Sequence, residues 1–245
     1  MLFILMIFSI DGNIGSGKST IVRQLKKALE TNPTFIFLEE PVSEWETIKT
    51  SDGTTILEKF YNDQDKYAFS FQMMAYISRL AQLRKTIREN PDCHIVTERS
   101  IYTDRNVFAK MLYDDKKIEE INYQIYLKWF DEFVKETKID HIIYIDTTAK
   151  KCHERIQKRD RTGESCIPLE YLRKCEMYHD IWILGDEENI TTPYNENSTI
   201  IKSPDNKVKN FIIKNNKDIT TEKEKQDQNK CIIDFIYNMV EEITM

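Results

Sequence analysis

Eight consecutive residues, Gly12-Asn13-Ile14-Gly15-Ser16-Gly17-Lys18-Ser19, fit the pattern G-x-x-x-x-G-K-[ST]. Glycines at this spacing let the backbone turn with its N–H groups inward, an anion cradle at the start of a helix. Lys18 adds a mobile ammonium for the outer phosphates of a triphosphate, and the Ser19 hydroxyl is placed to ligate Mg²⁺. With Thr20, these eight residues are the expected triphosphate contacts. The chain has only 6 glycines in 245 residues, and Gly12, Gly15 and Gly17 fall in this one window. An ordinary chain carries glycine at about 7%, so a chance glycine-rich turn is a poor account of the cluster.

Three further groups of residues carry chemistry. Glu39-Glu40-Pro41-Val42 follows the apolar run Phe35–Leu38. A carboxylate at the end of a strand beside a phosphate loop can take the proton of an attacking hydroxyl. Taken alone, the pair also suits a solvated loop. Glu98-Arg99-Ser100 closes another apolar run, putting Glu98 where Mg²⁺ would sit and Arg99 where charge on a transferring phosphoryl group would develop. A surface salt bridge is the plainer reading of that pair. Arg155 and Arg159 share a helical face at i, i+4, and Arg161 follows. Such a run is usually a solvated basic face, but beside a phosphate loop in an acidic chain it favours a lid over the triphosphate.

The elements that must hold these groups alternate. A continuous β-rich run over 2–10 reads as a buried strand, and apolar residues at Ile21, Val22, Leu25, Ala28 and Leu29 read as the helix after the loop. Strands follow at Phe35–Leu38, 94–97 and 141–145, with helices at 65–89, 123–135, 150–158 and 168–183. That alternation predicts an α/β domain with a mostly parallel sheet. Residues 186–230 turn rich in Asn, Lys, Thr and Asp around a short apolar group, Phe211-Ile212-Ile213, that reads as a fifth strand in a mobile insertion. A closing helix is expected over 232–243.

Composition removes several function classes. The 35 basic and 41 acidic residues give a net charge of −6, which argues against general binding to nucleic acid. Five cysteines without C-x-x-C spacing fit neither a disulfide scaffold nor a zinc site and point to a reducing compartment, the cytoplasm. The longest apolar run, residues 2–8, falls far short of the ~20 residues that span a bilayer. No membrane partner is expected.

The blocks FSIDGNIGSGKST, EEPVSEW, FSFQ, ERSIYTDR and RDRTGESCIPLEYL together resemble the deoxynucleoside kinase family, in its deoxycytidine/deoxyguanosine kinase-like branch. They occur in family order over about residues 7–184 of a single domain, 1–245. The resemblance implies a P-loop NTPase-type three-layer sandwich with a five-stranded parallel sheet flanked by helices, a homodimer, and transfer of the γ-phosphoryl group of ATP-Mg²⁺ to the 5′-hydroxyl of a 2′-deoxynucleoside. It makes Glu40 the base, Arg99 the residue that orients the hydroxyl and the phosphoryl group, and Ser19 and Glu98 the metal ligands. Arg155, Arg159 and Arg161 become the lid. Tyr61 and Glu164 would hold the sugar 3′-hydroxyl with Tyr171 nearby, and Trp45 and Leu57 join the deoxynucleoside contacts.

Part of the base pocket follows from spacing. Gln72, Ala75 and Arg79 share one helical face, and a Gln amide matches the donor–acceptor edge of adenine or cytosine. Phe71 and Phe108 resemble the family's stacking aromatics. In the family, Arg at position 79 and Asp at position 104 accompany use of deoxycytidine and purine deoxynucleosides rather than thymidine; Arg79 and Asp104 are both present. The segment beyond Gly185 aligns poorly, and Asn215, Asn216 and Asp218 match the donor-base loop only loosely. Two rivals stay open: a nucleoside monophosphate kinase, and a non-catalytic P-loop nucleotide sensor.

Overall fold

The computed structural model describes residues 5–159, 164, 166–185, 190–202, 209–219 and 221–242. Its strands are β1 (Ile7–Asp11), β2 (Phe35–Leu38), β3 (His94–Glu98), β4 (His141–Asp146), β5 (Ile190–Asn195), β6 (Ser198–Lys202) and β7 (Lys209–Lys214). The helices are α1 (Lys18–Ala28), α2 (Val42–Trp45), α3 (Ile56–Asn62), α4 (Gln64–Glu89), α5 (Ile101–Thr103), α6 (Lys110–Asp114), α7 (Glu120–Phe133), α8 (Ala149–Arg159), α9 (Leu169–Ile183) and α10 (Glu222–Glu242). A π-helical turn, Asp104–Ala109, joins α5 to α6.

Five strands, β2, β3, β1, β4 and β7 in spatial order, pair in parallel as expected. The expectation of five strands in all is corrected: among the described residues the sheet has seven, because β6 pairs antiparallel with β7 and β5 with β6. The supposed insertion around a lone strand is therefore a hairpin that widens the sheet. The closing helix also begins ten residues earlier than expected. Its start is written in Thr221 and Glu224, each of which caps the other's backbone N–H. The outer ends of two expected elements, residues 2–4 and 243, lie outside the described residues.

Alternation along the strands sorts side chains to two covered faces. Phe8, Ile10, Ile143, Ile145, Phe211 and Ile213 pack on one face against Ile21, Val22 and Leu25 of α1 and Ile232, Phe235, Ile236 and Met239 of α10. On the other, Ile7 and Ile95 meet Leu83 of α4, while Tyr144 and Ile212 meet Ile183 of α9. This is the three-layer arrangement. No helix among the described residues is long and apolar enough to cross a membrane.

Parallel strands end together, so the segments after β1, β2, β3, β4 and β7 all emerge at one edge. These segments are the phosphate loop, Glu39-Glu40, Arg99-Ser100, Thr147-Thr148 and Asn215-Asn216. The π-helical turn continues the run from Arg99, a region the hydrophobic periodicity did not assign to a helix.

Phe211 is fully buried and stacks on Phe235 with ring centroids 4.8 Å apart, tying α10 to the sheet. Phe211→Ala is expected to cost about 3–5 kcal/mol in urea unfolding; a loss under about 1 kcal/mol would show that α10 is held elsewhere.

Candidate active site

The phosphate loop runs from the end of β1 into α1. Gly15 has φ +80, and a Cβ there would lie 2.7 Å from the Cys152 carbonyl oxygen, so both the turn and its close packing on α8 demand glycine. Gly17 has φ +104 where the chain enters α1. Lys18 is buried and its Nζ folds back onto the Asn13 carbonyl at 2.7 Å. Burial, aided by the charge of Arg99, brings its ammonium down to about 7, against the pull of Glu98 and Glu40. An anionic group in the cradle would reverse that.

Beside the loop lies a cavity of about 560 Å³. Ile14, Gly15, Gly17, Lys18, Ser19 and Thr20 line it from the loop side, with Glu98, Arg99, Arg155 and Arg159. Glu40, Trp45, Tyr61, Phe71, Gln72, Ala75, Arg79, Asp104, Phe108, Glu164 and Tyr171 complete the wall. Nearly every residue singled out from the sequence thus meets in one space.

Of the expected catalytic, phosphate, metal, lid and deoxynucleoside contacts, four do not line it. Gly12 lies beneath the loop, its carbonyl 3.5 Å from Arg99 Nη2. Asn13 turns its amide to the Leu172 carbonyl at 2.8 Å. Ser16 is fully buried, and Leu57 packs behind the cavity among Trp45, Phe60 and Phe71. Arg161 lies outside the described residues.

Two lining residues were not expected, Arg23 and Phe60. Phe60 stacks on Phe71 at 4.5 Å between centroids and 14° between planes. The signal for its short helix was Thr55-Ile56-Leu57-Glu58, a capping box that the structure forms in full.

Where the two halves of the cavity join sits a compact charge cluster. Glu40 Oε1 accepts from Arg99 Nη1 at 2.6 Å and from Arg79 Nη2 at 3.1 Å. Arg79 Nε donates to Asp104 Oδ2 at 3.0 Å, and its Nη1 to the Glu98 carbonyl at 2.9 Å. Burial opposes the Glu40 charge, but Arg99, Arg79 and Lys18 overcome it and hold the carboxyl at about 2. Its folded pKa is depressed, so its contribution to stability is whole above the ordinary carboxylate range and is lost as pH falls toward 2.

Arg99 itself has φ 61, a conformation that a side-chain-bearing residue adopts at a cost. Its guanidinium lies over the Phe108 ring at 5.1 Å, and among the described residues its buried Nε has no hydrogen-bond partner. The same holds for Gln72 Oε1 on the aromatic side. An acceptor unmet on a buried wall of a cavity fits a polar guest.

The Ser19 hydroxyl donates to Glu98 Oε1 at 2.6 Å, bringing two hard oxygen donors together at the loop's mouth. No group of three or more His, Cys, Asp or Glu able to hold a metal occurs among the described residues. A hydroxyl and a carboxylate are hard oxygen donors, the kind that a hard divalent cation accepts in small number alongside phosphate and water.

At the end of α8, Arg159 pairs with Glu164. Arg155 Nη1 reaches the Ser16 carbonyl at 3.2 Å, and its Nη2 reaches the Asn215 and Lys217 carbonyls at 3.0 Å each. It bridges the phosphate loop to the segment after β7.

A family model described as deoxynucleoside kinase matches residues 8–236. The chain is 37% identical over 195 residues to deoxycytidine kinase 2 of Gallus gallus, covering 71% of this chain and 72% of that one. It is 36% identical over 196 residues to deoxycytidine kinase of Mus musculus, covering 72% and 74%. With a mitochondrial deoxyguanosine kinase of Xenopus laevis it shares 32% over 193 residues, covering 71% and 72%.

Arg79 neutralises a fully buried Asp104. Arg79→Met is expected to cost about 3–5 kcal/mol in urea unfolding by leaving that carboxylate unpaired. Adding Asp104→Asn should return a good part of the loss, and a double variant no more stable than Arg79→Met would refute the pairing.

Proposed function

Because the chain belongs to the deoxynucleoside kinase family, we propose that it moves the γ-phosphoryl group of ATP, held with Mg²⁺, to the 5′-hydroxyl of a 2′-deoxynucleoside. The preferred acceptors are deoxycytidine, deoxyadenosine or deoxyguanosine rather than thymidine, in nucleotide salvage in the cytoplasm. That the chain is a deoxynucleoside kinase rests on the family match and relatives of that name. The observation that carries the rest is the contact of Glu40 with Arg99, 2.6 Å long, where the phosphate loop meets the aromatic cavity.

The donor's phosphates lie in the cradle of loop N–H groups, with Lys18 restored to full charge by them. Mg²⁺ when bound neutralises charge on the outer phosphate oxygens, and Ser19 and Glu98 would hold it. The acceptor base lies between Phe71 and Phe108, and Gln72 offers its unmet Oε1 to a base amino group. Arg79, already bound to Asp104, presents a fixed cation beside that base.

The 5′-hydroxyl then reaches Glu40. The two guanidiniums lower the basicity of this carboxylate, so it serves first as the acceptor that aims the hydroxyl's lone pair at phosphorus. The proton passes late, once the new oxygen–phosphorus bond has made it acidic, in keeping with a loose transition state. Arg99 faces the transferring group as its charge shifts. A monophosphate kinase would need further basic residues for the acceptor's phosphate, whereas here a carboxylate, Glu40, stands at the acceptor's place, which suits a neutral hydroxyl. A mere sensor has no use for this carboxylate.

A stripe of exposed apolar side chains, Ile121, Ile125 and Trp129 on α7 with Ile77 on α4, supports assembly as a homodimer through this face.

Phosphorylation of the four deoxynucleosides with ATP-Mg²⁺ tests the reaction. Glu40→Gln should lower kcat by about 10²–10⁴ while leaving donor binding in place. Undiminished turnover in that variant, or the highest kcat/KM on thymidine, would defeat the proposal. For assembly, Ile121→Glu with Ile125→Glu should convert a dimer to monomer in light scattering; an unsubstituted chain that runs as monomer rules the dimer out.

A further inference from the structure

We propose that Asn215, at the end of the strand that carries the extra hairpin, is a positioning residue that aims the phosphate loop. The proposal rests on the reading that this loop holds the donor's phosphates.

Asn215 is the first residue beyond β7, at the sheet edge where the phosphate loop leaves β1. It is 7% exposed, and its Nδ2 donates to the Ser16 carbonyl at 2.8 Å. Two other donors reach the same oxygen, Arg155 Nη1 at 3.2 Å and Thr147 Oγ1 at 3.4 Å. Asn215 makes the shortest of the three contacts.

The target of those donors is what gives them consequence. The Ser16 carbonyl and the Gly17 N–H are the two ends of one planar trans peptide, so they point in opposite directions. Pulling the carbonyl away from the cradle turns the Gly17 N–H toward it. Gly17 lines the cavity, and its φ of +104 leaves that peptide free to rotate if nothing holds it. A Cβ on Gly17 would stand 3.2 Å from Asn215 Nδ2, so the amide fills the space beside the glycine.

Asn215 is itself held from all sides. Its N–H donates to the Asp146 carbonyl at 2.7 Å, and its Oδ1 accepts from Gln228 Nε2 of α10 at 3.4 Å. Its carbonyl accepts from Arg155. Lys214 N–H, one residue earlier, donates to the Asn197 carbonyl in the turn between β5 and β6 at 2.9 Å. The hairpin, the last parallel strand and α10 thus converge on one amide that grips the loop. The side chain's oxygen faces α10 and its nitrogen faces the loop, an orientation that only an amide satisfies at both ends.

Asn215→Asp tests this, because it keeps the shape and the acceptor for Gln228 but sets an acceptor against the Ser16 carbonyl. Asn215→Ser, which adds no charge, must show the same selective loss; a loss confined to the charged variant would mark mere repulsion of phosphate and overturn the proposal. Inorganic tripolyphosphate, which has no base, is the probe, measured by its competition with ATP. The expected result is a loss of about tenfold in tripolyphosphate affinity, the cost of one unmet buried polar pair. An equal rise should follow in the KM for ATP, with the KM for the deoxynucleoside unchanged. Weakened ATP with unweakened tripolyphosphate would make Asn215 a reader of the donor base and overturn the proposal. So would an equal loss on the deoxynucleoside side, which marks a general structural role. Should Asn215→Asp fail to fold, Asn215→Ser decides by the same two readings. If tripolyphosphate does not compete with ATP on the unsubstituted chain, the phosphate-loop reading itself fails, a result distinct from a selective failure at Asn215.

Discussion

Two guanidiniums, both buried, sharing one carboxylate oxygen is the arrangement on which the rest of this protein depends. Glu40 comes from the end of β2, Arg99 from the end of β3, Arg79 from the middle of α4 and Asp104 from the π-helical turn. Burying any one of these charges alone would cost several kcal/mol, so each element is held in place by the need of the others. The strand order puts β3 between β2 and β1, which brings the Glu40, Arg99 and phosphate-loop ends side by side. The left-handed backbone of Arg99 is maintained by its surroundings. Thr103 bonds to Asp11 and accepts from the Ser100 N–H, so the turn after Arg99 is tied to the end of β1.

This cluster also divides the cavity by chemistry. On one side are backbone N–H groups, lysine and arginine; on the other, Trp45, Phe60, Phe71, Phe108 and the carboxamide of Gln72. An anion has reason to settle only in the first half, and a flat polar ring only in the second. The carboxylate at the junction lies where the two guests would touch.

Features written in short contiguous runs were legible before the fold was known. The phosphate loop, the parallel strands, and the Glu40, Glu98 and Arg99 positions each follow from a few neighbouring residues. What escaped depends on partners distant in the chain. The β5 and β6 strands carry Thr, Pro, Ser and Lys where a buried strand would carry apolar residues, because they pair at the margin of the sheet. The first turns of α10 are polar all round, so only the reciprocal cap of Thr221 and Glu224 marked their start. Leu57 and Phe60 sit on the same short helix, and nothing in their spacing says which of them reaches the cavity. Asn215 was visible as a residue, but its grip on Ser16 joins positions 199 apart.

The hairpin of β5 and β6 has one more effect, on how the molecule meets its own copies. Without it, β7 would present an open row of N–H and C=O groups to solvent, directly beside the phosphate loop. An exposed strand of that kind, bearing Phe211-Ile212-Ile213, is a template for edge-to-edge pairing and fibrous growth. The hairpin moves that boundary two strands outward. There the terminal strand carries Pro193, which donates no N–H, and its register slips between Pro193 and Asn195. The widened sheet thereby ends in a strand poorly made for recruiting another, at the same margin where Asn215 meets the phosphate loop.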